Sequence, residues 1–286
     1  MLGPFVKQDA ANPVLTPRED TEFFCPNLKR KIKWEDKDVF NPAAVVKDGK
    51  VYLLYRAEDR IGRYAGTSRV GLAWSDDGLH FTRRAEPVLY PDEDFMKKYE
   101  FEGGCEDPRV VEREDGTYVM TYTAYDGKTA RLAVASSKDL INWTKHGLAF
   151  GKAENGKYND LCSKSGAIIS EIKNGRIIAK KINGKYWMYF GESDIFIATS
   201  DDLIDWTPLR EKKKKPERFN LHMSPLTDNL VRLISVRKGN FDSALVEPGP
   251  PPLAGKDGIV FIYNSKNHDF PGLPPGIYSA GQALIK

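Results

Sequence analysis

Two short motifs repeat along the chain at nearly constant spacing, and this repeat constrains the fold more than any other feature. The first motif joins a polar-glycine turn to a β-branched and aromatic run, which is typical of a β-hairpin. Its four copies are KDGKVYLLY, EDGTYVMTY, INGKYWMYF and KDGIVFIYN, with glycines 67, 68 and 74 residues apart. The second motif ends a strand in Ala-x-Ser before an Asp-rich turn. Its serines are Ser75, Ser137 and Ser200, which are 62 and 63 residues apart.

Each repeat predicts four antiparallel strands, which is the make-up of a propeller blade. A β-sandwich is the alternative, but it does not account for the regular spacing. We therefore expect an all-β protein with one propeller catalytic domain over residues 1–286. The Pro-Val-Leu of Pro87–Leu89 also occurs at Pro13–Leu15, so a strand at Asn12–Leu15 is expected to pair with the last sheet. Because the sequence stops inside the fourth repeat, we expect the last blade to be truncated.

Composition excludes some partners. The chain has 286 residues, and its formal net charge of +3 gives little reason to expect nucleic acid or a membrane surface as partner. The basic run Lys212–Lys215 has acidic neighbours, which predicts a solvated loop. Three widely spaced cysteines, Cys25, Cys105 and Cys162, match no metal-ligand pattern and fit a reducing compartment. The N-terminal stretch has no apolar segment of signal-peptide length, which predicts a cytoplasmic protein.

The stretch GCEDPR, at Gly104–Arg109, is the first strand of the second repeat. First strands line the central channel of a propeller, so polar residues on the first and second strands are expected to converge there. These are Asn41, Arg56, Asp59, Arg60, Glu106, Asp107, Arg109, Arg131, Lys164, Glu192, Asp242 and Glu247. The aromatic residues Tyr122, Tyr125, Tyr189, Phe190 and Tyr263 accompany them. Carboxylates interleaved with aromatic rings suit a sugar, which offers hydroxyls and apolar C–H faces.

From the residues alone, an alternative stays open in which Asp107 and Arg109 form a structural ion pair at the start of a strand. A different class of function also stays open, namely a non-catalytic carbohydrate-binding or protein-docking propeller. Other propeller glycosidases, acting on arabinosides or fructosides, place an aspartate on the first strand of the first blade. Asn41 stands at that place here, which argues against them.

Several long runs resemble glycoside hydrolase family 130 over residues 12–286. They include FNPAAVVKDGKVYLLYRAEDR, the stretch with GCEDPR and TAYDG, KINGKYWMYFGESDIFIATSDDLIDWTP and FDSALVEPGPPP. The family resemblance implies a five-bladed propeller that acts on β-mannosides, with manno-oligosaccharide as substrate and no metal or cofactor. It implies a general acid at Asp107, acting through a hydroxyl of the mannose ring. A homo-oligomer is left open, and of the five blades that the family resemblance implies we expect the last to be truncated.

The resemblance also helps to predict whether the enzyme catalyses hydrolysis or phosphorolysis. Where the family's phosphorylases carry a His-Arg pair, residues 190–192 read Phe-Gly-Glu, so two donors are lost and Glu192 is gained. Glu247 adds a second carboxylate, whereas Lys164 and Arg131 match basic positions of the family. An inverting hydrolase needs a carboxylate base, but a phosphorylase needs cations that hold phosphate. We therefore predict hydrolysis of β-1,2-linked mannosides with inversion, with Glu247 as the first choice of base and Glu192 as the second.

The alternative is a β-mannoside phosphorylase, which uses inorganic phosphate as co-substrate and releases mannose 1-phosphate. For Glu192 and Glu247 themselves, a hydrogen bond to a sugar hydroxyl or a structural pair with Lys or Arg also stays open.

Overall fold

The computed structural model of the protein describes residues 3–211 and 226–286, and the basic run Lys212–Lys215 lies outside them. Almost all regular structure in the described part is β-strand. The helices there are α1, Lys97–Glu100, and a single 3₁₀ turn, Ala153–Gly156. The predicted all-β class is therefore confirmed. No helix within these ranges is long and apolar enough to cross a membrane.

Internal contacts divide the chain into two compact units. The first unit contains Leu2–Gly147 and Ile172–Ile178, and the second contains Leu148–Glu171 and Ala179–Lys286. The arrangement of the sheets as blades of one propeller domain stays a prediction.

Ten strands lie in the described residues before 149. They are β1 Glu22–Cys25, β2 Arg30–Lys33, β3 Asp38–Lys47, β4 Lys50–Glu58, β5 Ser68–Ser75, β6 Thr82–Arg83, β7 Gly104–Glu112, β8 Tyr118–Tyr125, β9 Ala130–Ser137 and β10 Thr144–Leu148. Strands β3 to β6 pair in antiparallel order as the first repeat. Strands β7 to β10 follow the same order as the second repeat. The four-stranded repeat predicted from the hairpin and Ala-x-Ser motifs is confirmed in both.

Twelve further strands lie in the described residues beyond 149. They are β11 Ala167–Ile168, β12 Ser170–Lys173, β13 Arg176–Ala179, β14 Lys181–Ile182, β15 Lys185–Phe190, β16 Asp194–Ser200, β17 Trp206–Pro208, β18 Arg232–Ser235, β19 Leu245–Pro248, β20 Leu253–Gly255, β21 Gly258–Lys266 and β22 Tyr278–Ile285. The third repeat is the antiparallel order β11, β15, β16 and β17. In the fourth, β21 pairs with β19, β20 and β22.

The Asp-rich turns close the third strand of the first three repeats in one common way. The hydroxyl oxygen of Ser137 accepts hydrogen bonds from the backbone N–H of Asp139 and Leu140, at 3.1 and 2.9 Å. Ser200 does the same in the third repeat. Such short polar side chains replace backbone partners in a tight turn. The turn motif can therefore be recognised in the sequence because all its bonds are local.

The expected strand at Asn12–Leu15 is wrong, because the chain forms no strand there. Pro13 lacks the N–H that a sheet ladder requires. Leu15 instead packs against one hydrophobic cluster of the first unit, whose buried members are Phe23, Cys25, Ile32, Trp34, Tyr55, Ala57 and Ala73. The following backbone is held by a bond from the Arg18 N–H to the Glu35 carbonyl, at 2.9 Å. Local hydrophobic packing thus decides where this segment lies.

Candidate active site

The first strands of the first two repeats are bulged at the polar residues that the sequence singles out. On β3, Phe40 pairs with Arg56 and the next pair is Ala43 with Leu54, so two residues oppose one. On β7 the pairing shifts in the same way between Glu106 and Arg109. The extra residue bends the strand and re-aims its side chain.

The residues at the two bulges are Asn41 and Asp107, with φ angles of 44° and 48°. This left-handed region is strained for most residues, but asparagine and aspartate adopt it more readily than others. Pro42 and Pro108 follow them, and proline is tolerated at a bulge because no ladder hydrogen bond is needed there. The Asn-Pro and Asp-Pro pairs are therefore the sequence signal of the bulges.

The side chain of Asp107 is buried and bonded from two neighbouring strands. Its Oδ1 accepts hydrogen bonds from Asn41 Nδ2 at 2.8 Å and from Arg56 Nη1 at 3.2 Å. Arg109 Nη1 donates to the backbone carbonyl of Asp107 at 3.0 Å. Only 5% of the residue is exposed. The carboxyl group that the resemblance implies as the acid is thus held in one orientation.

Arg56 gathers three carboxylates around one guanidinium. Its Nη2 lies 2.8 Å from Glu106 Oε1 and also donates to Glu58 Oε1, while Nη1 donates to Asp107. Burial opposes the charge on Arg56, yet the attraction of Asp107, Glu106 and Glu58 outweighs it and raises the pKa of Arg56. We call Asn41, Arg56, Glu58, Glu106 and Asp107 the Asp107 cluster. Glu58 was not predicted, although it follows Arg56 by two residues and so shares its strand face.

A second group of carboxylates surrounds Lys164 in the second unit. Glu247 Oε2 accepts a hydrogen bond from Ser165 Oγ at 3.0 Å, and its Oε1 lies 3.4 Å from Asn264 Nδ2. Lys164 Nζ lies 3.9 Å from Glu247 Oε2 and 3.7 Å from Glu192 Oε2. The Glu247 side chain is 13% exposed and that of Glu192 is 40% exposed. We call these five residues the Glu247 cluster.

Asp59 is fully buried in the loop after β4. Its Oδ1 accepts hydrogen bonds from the backbone N–H of Ile61, Gly62 and Thr67, at 3.2, 2.8 and 3.0 Å. Its Oδ2 accepts a hydrogen bond from Arg69 Nη1 at 2.7 Å, and both side chains of this pair are almost without exposure. Both carboxylate oxygens therefore have partners that hold the loop in place, and sugar contact by Asp59 stays a prediction.

Arg69→Met is expected to lower the free energy of unfolding by about 3–5 kcal/mol, because the charge on Asp59 would stay buried without its partner. Urea unfolding of the purified variant measures this change. Arg113→Met is the matched control, since Arg113 pairs with Asp115 on the surface at 3.8 Å and should cost less than about 1 kcal/mol. If Asp59→Asn keeps the wild-type stability but raises the KM for a mannoside, Asp59 is a ligand after all.

Two further predicted ligands have partners close by in the chain. Arg131 Nη1 bonds Asp126 Oδ2 at 2.7 Å, and its guanidinium lies 5.4 Å from the centre of the Tyr99 ring. Tyr125 packs over Gly103, where an added Cβ would lie 2.3 Å from the tyrosine ring. Both residues therefore have roles in shaping the first unit, and sugar contact by either stays a prediction.

The remaining predicted ligands fall into a buried group and an exposed one. Asp242 has no exposure and is bonded by Arg237 Nε at 2.9 Å and by the Tyr263 hydroxyl at 3.1 Å. Burial and this hydrogen bond raise the pKa of Tyr263. Arg60 has a side chain that is 61% exposed, and its Nε lies 3.8 Å from Asp36. Asp242 and Tyr263 thus act on each other, and Arg60 lies at the surface.

In the part of the chain that the structure describes, no three His, Cys, Asp or Glu side chains are placed to hold a metal ion. Two cavities of about 410 and 550 Å³ lie in the first unit. They are lined by Phe23 and by residues within 84–101 and 141–145, and no member of the Asp107 cluster contributes to either.

Known proteins that match nearly the whole chain are mannoside phosphorylases and glycoside hydrolases. The profile of glycoside hydrolase family 130, described as β-1,4-mannooligosaccharide phosphorylase, matches residues 6–285. A 1,2-β-oligomannan phosphorylase from Thermoanaerobacter sp. (strain X514) is 29% identical over 289 residues, covering 98% of this chain and 76% of the relative.

Two solved structures are more similar still. A glycosyl hydrolase from Bacteroides ovatus is 46% identical with a TM-score of 0.92, covering 100% of this chain and 77% of the other. A structure described with family 130 hydrolases that target β-1,2 mannosidic linkages in Candida mannan has the same identity, TM-score and coverage. The chain therefore belongs to glycoside hydrolase family 130 and is an enzyme, either a glycoside hydrolase or a closely related glycoside phosphorylase.

Proposed function

We propose that this enzyme hydrolyses β-1,2-linked mannosides with inversion of the anomeric centre. The observation that carries the proposal is the charge of the Glu247 cluster. Lys164 lies within 4 Å of two carboxylates, Glu192 and Glu247. A phosphate group brought to this lysine would face both of them, and like charges repel strongly where water is scarce. A neutral water molecule meets no such penalty.

In this mechanism Asp107 supplies the proton that the leaving sugar oxygen needs, and it does so through a hydroxyl of the mannose ring. Glu247 removes a proton from the attacking water, which forms the new bond at the anomeric carbon as the bond to the leaving sugar breaks. The hydrogen bonds from Ser165 and Asn264 support this choice, because they orient the carboxylate of Glu247. Glu192 is more exposed and less firmly held, so it is the second choice of base.

The similar structure connected with β-1,2 mannosidic linkages supports the choice of substrate. The similar phosphorylase supports the alternative reaction, in which phosphate takes the place of water. We also propose that the four-stranded sheets are blades of the five-bladed propeller that the family resemblance implies. Its support is the common antiparallel order of the first three repeats.

Incubation with β-1,2-mannobiose is expected to release mannose at the same rate with and without inorganic phosphate. β-1,4-mannobiose, tested alongside, should be cleaved more slowly. Chromatography separates mannose from mannose 1-phosphate, and proton NMR at early times should show the α-anomer first. Release of mannose 1-phosphate that depends on phosphate and is abolished by Lys164→Ala, but not by Glu247→Gln, would establish the phosphorylase alternative.

A further inference from the structure

Glu58 lies between two cations at the end of strand β4, and the proposed mechanism gives it no task. Its Oε1 accepts hydrogen bonds from Arg56 Nη2 and from Ser68 Oγ, the latter at 3.3 Å. Its Oε2 lies 2.7 Å from Lys37 Nζ. The Glu58 side chain is 11% exposed, whereas that of Lys37 is 29% exposed. Side chains of alternating charge are thus in contact from the partly exposed Lys37, through Glu58 and Arg56, to the buried carboxyl group of Asp107.

We propose that Glu58 and Lys37 are positioning residues that act on Asp107 through Arg56. This inference rests on the proposed role of Asp107 as the acid. Neither residue needs to touch the sugar, because the effect passes along the contacts Lys37 to Glu58, Glu58 to Arg56, and Arg56 to Asp107.

The guanidinium group of Arg56 is fixed in its orientation by contacts on several sides. Nε donates to Ser68 Oγ at 3.0 Å, and Nη2 bonds both Glu58 and Glu106. The guanidinium carbon also lies 4.6 Å from the centre of the Phe40 ring. These contacts use Nε and Nη2 and leave Nη1 directed at Asp107. Loss of Glu58 would therefore loosen the group that holds the acid in place.

The charges along these contacts also affect whether the carboxyl group of Asp107 is protonated. An arginine next to an aspartate favours the ionised carboxylate, which cannot donate a proton. Glu58 and Glu106 share the guanidinium with Asp107, so the charge of Arg56 acts less strongly on the acid. Lys37 in turn offsets part of the charge of Glu58. Removing Glu58 and removing Lys37 must therefore change the acid in opposite directions.

The other charged groups near Lys37, Glu58 and Arg56 are unchanged when either Glu58 or Lys37 is replaced. Glu106 and Arg109 face it from β7, and Asp38 lies 3.5 Å from Lys37 Nζ. Because they are common to all variants, a difference between variants reports only the residue that was changed.

The test is the pH dependence of kcat/KM, which reports the ionisation of the free enzyme. A general acid loses activity as pH rises through its pKa, so the basic limb of the profile follows Asp107. Glu58→Gln should move that limb to lower pH by about one unit, and Lys37→Met should move it to higher pH by ~0.5 unit. Opposite shifts are not expected from a merely structural role.

Two matched controls lie in the same unit. Glu112→Gln removes an ion-paired carboxylate at the far end of β7, where Glu112 bonds Arg176 at 2.7 Å. Lys47→Met removes a lysine at the far end of the β3–β4 hairpin, where its side chain is 30% exposed and pairs with Asp48 at 2.6 Å. Both should keep the wild-type profile.

The outcomes separate this inference from the function on which it rests. If Asp107→Asn keeps wild-type turnover, the proposed acid is wrong. Suppose instead that Asp107→Asn is inactive, but the basic limbs of Glu58→Gln and Lys37→Met do not move or move in the same direction. Only the positioning role is then overturned. Should Glu58→Gln fail to fold, Lys37→Met decides the matter alone, because that side chain is partly exposed.

Discussion

Asp107→Asn is expected to lower kcat/KM on β-1,2-mannobiose by ~10²–10⁴-fold, which is the usual contribution of a general acid. The amide keeps an oxygen that can accept the hydrogen bonds from Asn41 and Arg56. The bulge conformation is also kept, because asparagine already adopts it at residue 41. The loss should therefore come from the missing proton and not from a changed fold.

A substrate with a better leaving group provides the sharper measurement. An aryl β-mannoside with a nitrophenol needs little protonation of its leaving oxygen, so Asp107→Asn should impair its cleavage far less than that of mannobiose. Thermal unfolding of the variant, compared with wild type, checks the fold. Equal losses on both substrates with an unchanged melting temperature would mean that Asp107 binds the sugar and does not act as an acid.

Glu247→Gln is expected to lower turnover by ~10²–10⁴-fold as well, because the attacking water would lose its base. The glutamine can still accept the hydrogen bond from Ser165 that now reaches Glu247 Oε2. Azide carries no proton that must be removed, so adding it should restore part of the activity and yield an α-mannosyl azide. Mass spectrometry and NMR of the product identify that compound.

Glu192→Gln is the matched variant, since Glu192 shares Lys164 with Glu247. We expect a smaller loss and no rescue by azide. If instead Glu192→Gln shows the larger loss and the rescue, the two carboxylates exchange roles. A second control, Glu171→Gln, removes a carboxylate that pairs with Lys180 at 2.6 Å and should leave turnover unchanged.

Local patterns in the sequence predicted most of the fold. The hairpins follow from glycine turns between β-branched runs, and the turns at Ser137 and Ser200 close through bonds that span only two or three residues. The strand expected at Asn12–Leu15 depended on a distant partner and on a likeness to Pro87–Leu89. That likeness was weak evidence, because Leu89 itself makes only an isolated bridge with Val70.

The site was predicted less completely than the fold. Asp107 and Asn41 were predicted because they lie on the first strands of two repeats, and the family resemblance implied the role of Asp107. The bulges at these two residues were not predicted. Asp59 was expected on the second strand of the first repeat, but β4 ends at Glu58 and Asp59 lies in the loop that follows, where it accepts a hydrogen bond from the Gly62 N–H. Glu58 was missed, although residues two apart on a strand share a face. The sequence does not show where a strand ends, and that end separates a residue facing the cluster from one in a loop.

The left-handed backbone conformation at residue 107 limits which side chains can occupy that position. Asn41 and Asp107 occupy equivalent bulges, and Ser165, just before β11, has a φ angle of 57°. Short side chains that bond locally tolerate this conformation, whereas β-branched ones do not. An aspartate acid is thus easier to accommodate than a bulkier one. Because residues 41 and 107 have no partner in the strand register, an exchange among asparagine, aspartate and serine there is expected to leave the pairing on either side intact.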